Sequence, residues 1–248
     1  YNKGEYIENC INSCLNQSEK NVEIILFDND SVDESREILE KYKDQIIIVK
    51  KKRISLSPAL NQIDLIFNAF KISSGSIICL LDADDYFETN KLKNIKEIFH
   101  KNPNLKSVFD LPILKFKKVE KKFLLKKKIQ KDIWPTIIPT SGISCKRDFF
   151  EFFILNSFSS DFDLLEIDFR FNVVSRNLNK NFEISKDNLT YYRQVDTGVM
   201  ADIQKFSKKW WKKRHQAHIY MDKLFLKNQK KYKNKIDYFI TKTISNLI

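Results

Sequence analysis

A chain of 248 residues with 42% hydrophobic and 13% aromatic residues has ample material for a core, and four glycines and five prolines are too few for a collagen-like, disordered or many-turned all-β protein. The formal net charge of +12 is concentrated: nine lysines face one acid over 113–131, and twelve Lys or Arg face one acid over 205–235. Such segments suit an anionic partner, whether membrane, nucleic acid or polyanionic glycan, and equally a solvated lysine-rich face. Cys10, Cys14, Cys79 and Cys145 form no C-x-x-C pair and have no histidine near them in sequence, so a reducing cytoplasm is expected and a zinc site is not. No apolar run approaches the roughly 18 residues that a bilayer span needs.

In chain order, Tyr6, Ile7, Cys10, Ile11, Cys14 and Leu15 recur at helical spacing and predict an amphipathic helix over 4–17. VEIILFD (22–28) predicts a buried strand, 33–43 a helix and QIIIV (45–49) a second strand. Ser57 followed by Pro58 marks a helix start, and that helix runs to about Phe70. SSG (73–75) is a turn, SIICLLD (76–82) a third strand, and Thr89 a cap for a helix reaching His100. This alternation predicts an α/β fold with a mostly parallel central sheet and helices on both faces.

Beyond residue 104 the alternation weakens. Residues 105–131 read as strands carrying a basic hairpin or loop, TSGIS (140–144) as a tight turn into a helix at 146–156, 162–177 as a helix and NLTYYR (188–193) as a strand. From 203 the pattern is helical, basic and aromatic, so the chain divides into a domain over 1–200 and a basic helical extension over 201–248. The chain opens at YNKGEY, inside the approach to a helix, where a doubly wound sheet ordinarily opens on a strand; a trimmed first strand is the expectation.

Two of the three early strands end on an acid, at Asp28 and Asp82, and ligands of parallel sheets sit outside the carboxyl ends of strands. In LLDADDYF the D-x-D spacing points Asp82 and Asp84 the same way and Asp85 elsewhere. Two convergent acids suit a divalent cation that neutralises a diphosphate, Mg²⁺ or Mn²⁺. The alternative is a helix N-terminus built of acids, which the helix dipole favours. In DNDSVDES (28–35), Asp33 reads chiefly as a helix cap and Asp28 as an acceptor for a base N–H.

Several motifs in order give this chain a resemblance to glycosyltransferase family 2, the nucleotide-sugar enzymes of GT-A fold. They are Tyr1-Asn2, then Ser13 with Leu15-Asn16-Gln17, then Asp28, Ser31 and Asp33, then Asp82, Asp84 and Asp85. The match is specific over 1–88 and continues more weakly through TSGIS and TYYR to about residue 200. The resemblance implies that Tyr1 stacks on the nucleotide base and that Asp28 accepts from its ring N–H. It places Asp82 by the ribose or diphosphate and makes Asp84 the chief ligand of Mn²⁺ or Mg²⁺, with Asp85 in support. It implies an inverting transfer from a nucleotide-sugar, UDP-sugar first among donors, to a glycan or lipid-linked acceptor in bacterial surface polysaccharide synthesis. The base of such enzymes lies in an acid-Asp-aromatic pattern, which points to Asp168, with Glu166 second, in LLEIDFRF. Ordinary helix surface charges paired with Arg170 are the competing reading of those two. Thr140 and Ser141 are assigned to the acceptor side.

The chain departs from the family's V-D-D-G-S at Asn29 and Asp30. A phosphatase of the haloacid dehalogenase type also places D-x-D after a strand, but Asp85-Tyr86 stands where Gly and Thr are usual. The remaining alternative is a non-catalytic basic protein that binds anionic membrane or nucleic acid through 205–235. For the transferase itself, peripheral contact with the inner face of an anionic membrane is compatible with the charge, and nucleic acid is not expected.

Overall fold

A computed structural model describes residues 1–124, 136–195, 203–230 and 236–247. Its first unit is the parallel pair β1 (Ile25–Asp28) and β2 (Ile47–Lys50), joined by α2 (Ser35–Tyr42) and preceded by α1 (Gly4–Leu15). Ile7 and Ile11 of α1, Leu39 of α2 and Ile46 bury together against one face of this pair, and α3 (Pro58–Ile72) packs against β1. The α3 start is as expected: the Ser57 hydroxyl accepts from Leu60 N at 3.2 Å, and Pro58 opens the first turn.

The second unit is a four-stranded sheet in the order β3 (Ile77–Cys79), β8 (Ile143–Lys146), β5 (Ser107–Asp110) and β9 (Phe182–Ser185). The expected α/β architecture with helices on both faces is present, and within this sheet β8 runs antiparallel to both β3 and β5. The cause is the route of the chain. After β5, β6 (Ile113–Lys115) and β7 (Glu120–Lys122) form a hairpin, and the chain re-enters the sheet through a buried 3₁₀ turn, Thr140–Gly142. Ile143 pairs with Phe109 and Ser144 with Cys79, so β8 starts where its neighbours end and must run against them. The turn is thereby delivered to the carboxyl ends of the strands. Gly142 is required there, since a Cβ would lie 2.7 Å from the Asp110 carbonyl.

Helices cover both faces of this sheet. Ile63 and Phe67 of α3, Phe149, Phe150 and Phe153 of α5 (Arg147–Asn156), and Phe171 and Val173 of α6 (Ile167–Val174) form the main core. Ile95 and Phe99 of α4 (Lys91–Lys101) pack with Val108 on the other face. A third sheet orders β4 (Tyr86–Phe87), β10 (Thr190–Arg193), β6 and β7. The basic hairpin expected after residue 105 is thus β6–β7; residues 125–131 of that expectation lie outside the described residues.

Other elements differ locally from expectation. The cap of α4 is Asn90 rather than Thr89, without a side-chain bond, while the Thr89 carbonyl accepts from Ser18 N. The helix expected from 162 begins only at Ile167, because the buried Arg170 guanidinium donates to the carbonyls of Ser157, Phe158, Asp161, Phe162 and Leu165 and holds that stretch as a loop. The basic extension packs on the rest of the chain. α7 (Lys208–Lys227) inserts Ala217, Tyr220, Met221 and Leu224 into the main core, and α8 (Ile236–Leu247) packs on α7. Residues 196–202, 231–235 and 248 of the expected segments lie outside the described residues.

One ion pair joins the two upper sheets. Lys91 and Asp110 are both 0% exposed at 3.0 Å, and the ammonium also donates to the Ser141 carbonyl at 2.6 Å and to the Thr190 hydroxyl at 2.7 Å. Removing the cation strands a buried carboxylate. Lys91→Met is expected to destabilise the chain by about 3–5 kcal/mol in chemical denaturation, and adding Asp110→Asn should recover part of the loss.

Candidate active site

The carboxyl ends of the strands gather the acids that the sequence singled out, but in unequal settings. Asp82 follows β3; its carboxylate accepts from the Gln62 amide at 2.9 Å, and its backbone N–H donates to the Ser141 hydroxyl at 3.0 Å. Burial, then the neighbouring Asp84 charge, push its carboxyl up to about 6. Asp85 is fully buried and turned away, accepting from the Ser141 hydroxyl at 2.5 Å and from Arg193 N at 2.8 Å. Burial and the charges of Asp82 and Asp84 raise it to about 8. Asp84 is part-exposed, and Lys3 Nζ lies 2.7 Å from its Oδ2. Arg193 braces the tip from below, donating to the Asp84 carbonyl at 2.6 Å and to Asn9 at 2.6 Å, with its guanidinium 4.5 Å from the Tyr86 ring centre.

Asp28 ends β1, is buried, and accepts from Ser31 N at 3.2 Å. It lines a cleft of about 400 Å³ with Asp30, Arg36 and Lys50 to Lys52. Tyr1 is half exposed, with the Arg53 guanidinium 4.8 Å from its ring centre. Asp33 accepts from Ser35 N at 3.1 Å and Gly4 N at 3.0 Å, so it serves the starts of two helices. Asp30, in place of the family's glycine, takes φ 68°, the left-handed conformation that glycine adopts freely and Asp tolerates. A second cleft, about 450 Å³ around Cys14, Ile24 and Gln45, opens at the amino ends of β1 and β2, away from these acids.

Asp168 lies in the first turn of α6 and is half buried; burial, then the Glu166 charge, raise its carboxyl to about 7, and the Asp82 charge contributes. Glu166 is buried and committed to Lys213 of α7, whose Nζ lies 2.7 and 2.6 Å from its two oxygens. Arg170 pairs with neither, being taken up by backbone carbonyls. Thr140 and Ser141 do not face outward: they are 3% and 0% exposed, and Ser141 supports Asp82 and Asp85 from behind. The polar atoms of Ser141 are consumed inside the fold.

Sequence reasoning missed Lys3, Gln62, Lys91, Tyr192, Arg193 and Lys213. Tyr192 is the most telling. Burial, then the charges of Asp85, Asp82, Asp168 and Asp84, raise its phenol. TYYR was legible as a strand, but only the β4–β10 pairing brings it beside the acidic tip.

The donor set fits a cation held jointly with a ligand. Among the described residues no three His, Cys, Asp or Glu side chains converge as a metal cage. Asp85 is taken up by Ser141 and the Arg193 backbone N–H, while Asp84 meets Lys3. Mg²⁺ and Mn²⁺ are commonly bound through one or two carboxylates plus phosphate oxygens, and an accessible Asp84 meets that requirement.

Carboxylates at the open ends of an α/β sheet, beside a cleft lined with lysines, define a protein built for an anionic ligand at that edge. The model of glycosyl transferase family 2 matches residues 1–161, and the chain belongs to that family. An uncharacterised glycosyltransferase of Nostoc sp. is 28% identical over 163 residues, covering 61% of this chain and 50% of that protein. The Escherichia coli UDP-Glc:alpha-D-GlcNAc-diphosphoundecaprenol beta-1,3-glucosyltransferase is 37% identical over 94 residues, 38% of this chain and 36% of that one. The chain thus spans half or less of the length of these relatives. S. aureus TarS 1–349 in complex with UDP-GlcNAc superposes with a TM-score of 0.63 at 15% identity, over 99% of this chain and 68% of that one, and shares its GT-A fold.

Support from behind and contact with acceptor have different signatures. Ser141→Ala is expected to cost about 1–3 kcal/mol of stability and to weaken nucleotide binding severalfold while leaving the acceptor KM unchanged. A raised acceptor KM with unaltered nucleotide affinity would support the acceptor-side role.

Proposed function

We propose that this chain transfers a sugar, with inversion and with a divalent cation, from a UDP-sugar to a glycan or lipid-linked acceptor in bacterial surface polysaccharide synthesis. The observation that carries the reading is the placement of Asp28, Asp82 and Asp84 at or just past the carboxyl ends of β1 and β3, in a chain that belongs to glycosyl transferase family 2. The relatives point the same way: one is named for UDP-glucose and a diphosphoundecaprenol acceptor, and the TarS neighbour holds UDP-GlcNAc.

In this reading Asp28, at the floor of its cleft, accepts from the base N–H, and Tyr1 covers the base. Asp82, oriented by Gln62 and Ser141, faces the ribose or diphosphate. Asp84 holds Mn²⁺ or Mg²⁺, which supplies charge stabilisation to the departing diphosphate. Asp168 removes the acceptor hydroxyl proton; the freed oxygen attacks the anomeric carbon as the bond to the diphosphate oxygen breaks. Asp168 suits the base role better than Glu166, whose charge is neutralised by Lys213. A basic surface on α7, with Phe206 largely exposed and Phe239 and Leu247 exposed on α8, suits a peripheral approach to an anionic membrane carrying the acceptor. Among the described residues no helix is long and apolar enough to cross one.

Calorimetric titration of UDP with and without Mn²⁺ tests the donor site. Cation-dependent binding that disappears in Asp84→Asn is expected; cation-independent binding unaffected by that variant would reject it. Asp168→Asn should retain UDP binding and lose about 10²–10⁴-fold in turnover. A base works deprotonated and Asp168 sits near 7, so kcat/KM in the wild type should rise with pH through neutrality, and that limb should vanish in the variant.

A further inference from the structure

Asp84 is both the carboxylate read as the cation ligand and the partner of Lys3. The ammonium is 2.7 Å from Oδ2, with side-chain exposures of 18% for Lys3 and 16% for Asp84, so this is a sheltered contact rather than a solvated surface pair. Its position is fixed from several sides. The Lys3 backbone N–H donates to Ser35 Oγ at 3.1 Å, Asn2 N–H donates to Ser31 Oγ at 2.9 Å, and Gly4 N–H donates to Asp33 at 3.0 Å. The acidic turn after β1 therefore clamps residues 2–4 and aims the lysine at the acidic turn after β3. Arg193 spends its guanidinium on the Asp84 carbonyl and Asn9, and leaves the carboxylate to Lys3.

We infer that Lys3 is a resident counter-ion that occupies the cation position on Asp84 until a nucleoside diphosphate arrives and draws it away. This rests on the reading of Asp84 as the cation ligand. The physical need is plain. The Asp84 carboxylate is only 16% exposed and sits in a D-x-D-D turn, and the Lys3 ammonium at 2.7 Å supplies the positive charge that water cannot. An ammonium on a four-carbon stem meets that need reversibly: it is a compact point charge that can leave Asp84 for a phosphate without disturbing the backbone clamp. The consequence is ordered loading. A divalent cation alone meets a site whose competent fraction is reduced by the lysine, which weakens its apparent affinity in proportion. A diphosphate that attracts Lys3 restores the carboxylate and adds its own oxygens, so nucleotide and cation bind with positive coupling.

The test is Mn²⁺ binding, followed by the electron paramagnetic resonance signal of free Mn²⁺, in the wild type and in Lys3→Met, with and without UDP, on samples whose thermal melts show them folded. Without nucleotide, Lys3→Met should bind Mn²⁺ about tenfold more tightly than the wild type, as expected if the lysine blocks the site about nine-tenths of the time. The enhancement of Mn²⁺ affinity by UDP should shrink by a similar factor in the variant. Equal affinities without UDP would overturn the inference. So would a tightening of the same size with and without UDP, the mark of a general charge effect rather than displacement. Asp84→Asn, run in parallel, separates this failure from that of the site: if it leaves Mn²⁺–UDP binding intact, the cation assignment itself falls and the counter-ion role falls with it. If it abolishes that binding while Lys3→Met changes nothing, only the counter-ion role is lost.

Discussion

An ammonium group with no access to water has to be satisfied by geometry, and Lys91 imposes that geometry on the upper half of the molecule. Its three partners come from β5, from the turn before β8 and from β10, up to 99 residues away from it in sequence. The Phe87 ring lies 4.1 Å from the ammonium and closes the remaining side. Such a pair is weak evidence for net stability, since desolvating both charges is costly, but each partner held alone would be far worse. The pair therefore acts as a registration device. With Thr190 also donating to Asp110 at 2.7 Å, β10 can sit only where its hydroxyl completes the cage.

From that anchor the candidate site follows. The Ser141 carbonyl faces Lys91 while its hydroxyl faces the opposite way, toward Asp82 and Asp85. One residue thus transmits the buried ion pair to the acidic tip. β10 does the same on its other side, since register against β4 sets Arg193 under Asp84 and Asp85. Burial and then the neighbouring acids raise the Asp82 and Asp85 carboxyls, and the fold tolerates the crowding because each acid is engaged differently: Asp85 by neutral donors, Asp82 by an amide, Asp84 by a lysine. Stability at this edge is set aside in favour of charge, as is common where a ligand supplies the missing partner.

The C-terminal helices alter the view of the basic segment. Its lysine count suggested a surface, and part of α7 is one, yet the opposite face carries Tyr220 and Met221 into the core. Lys213 reaches Glu166 from that same helix and neutralises one of two adjacent acids. A run read by charge alone thus has one face for solvent, one for packing and one cation for the site.

Much of this was readable in the sequence because it depends on local pattern. Alternating apolar runs ended by acids declared an α/β sheet with a ligand edge, Ser57-Pro58 declared a helix start, and D-x-D spacing separated Asp85 from its neighbours, as the buried Asp85 bears out. Ordered motifs carried the family. What local pattern could not supply was pairing at a distance. Nothing near residue 143 says that β8 runs antiparallel between β3 and β5, or that Ser141 would consequently lie beneath the acids. Nothing near residue 3 says that its lysine meets Asp84, or near residue 213 that its lysine meets Glu166. A sequence specifies which groups are charged and which faces are apolar; which charges meet depends on the path of the chain between them, and only the packed sheets decide that.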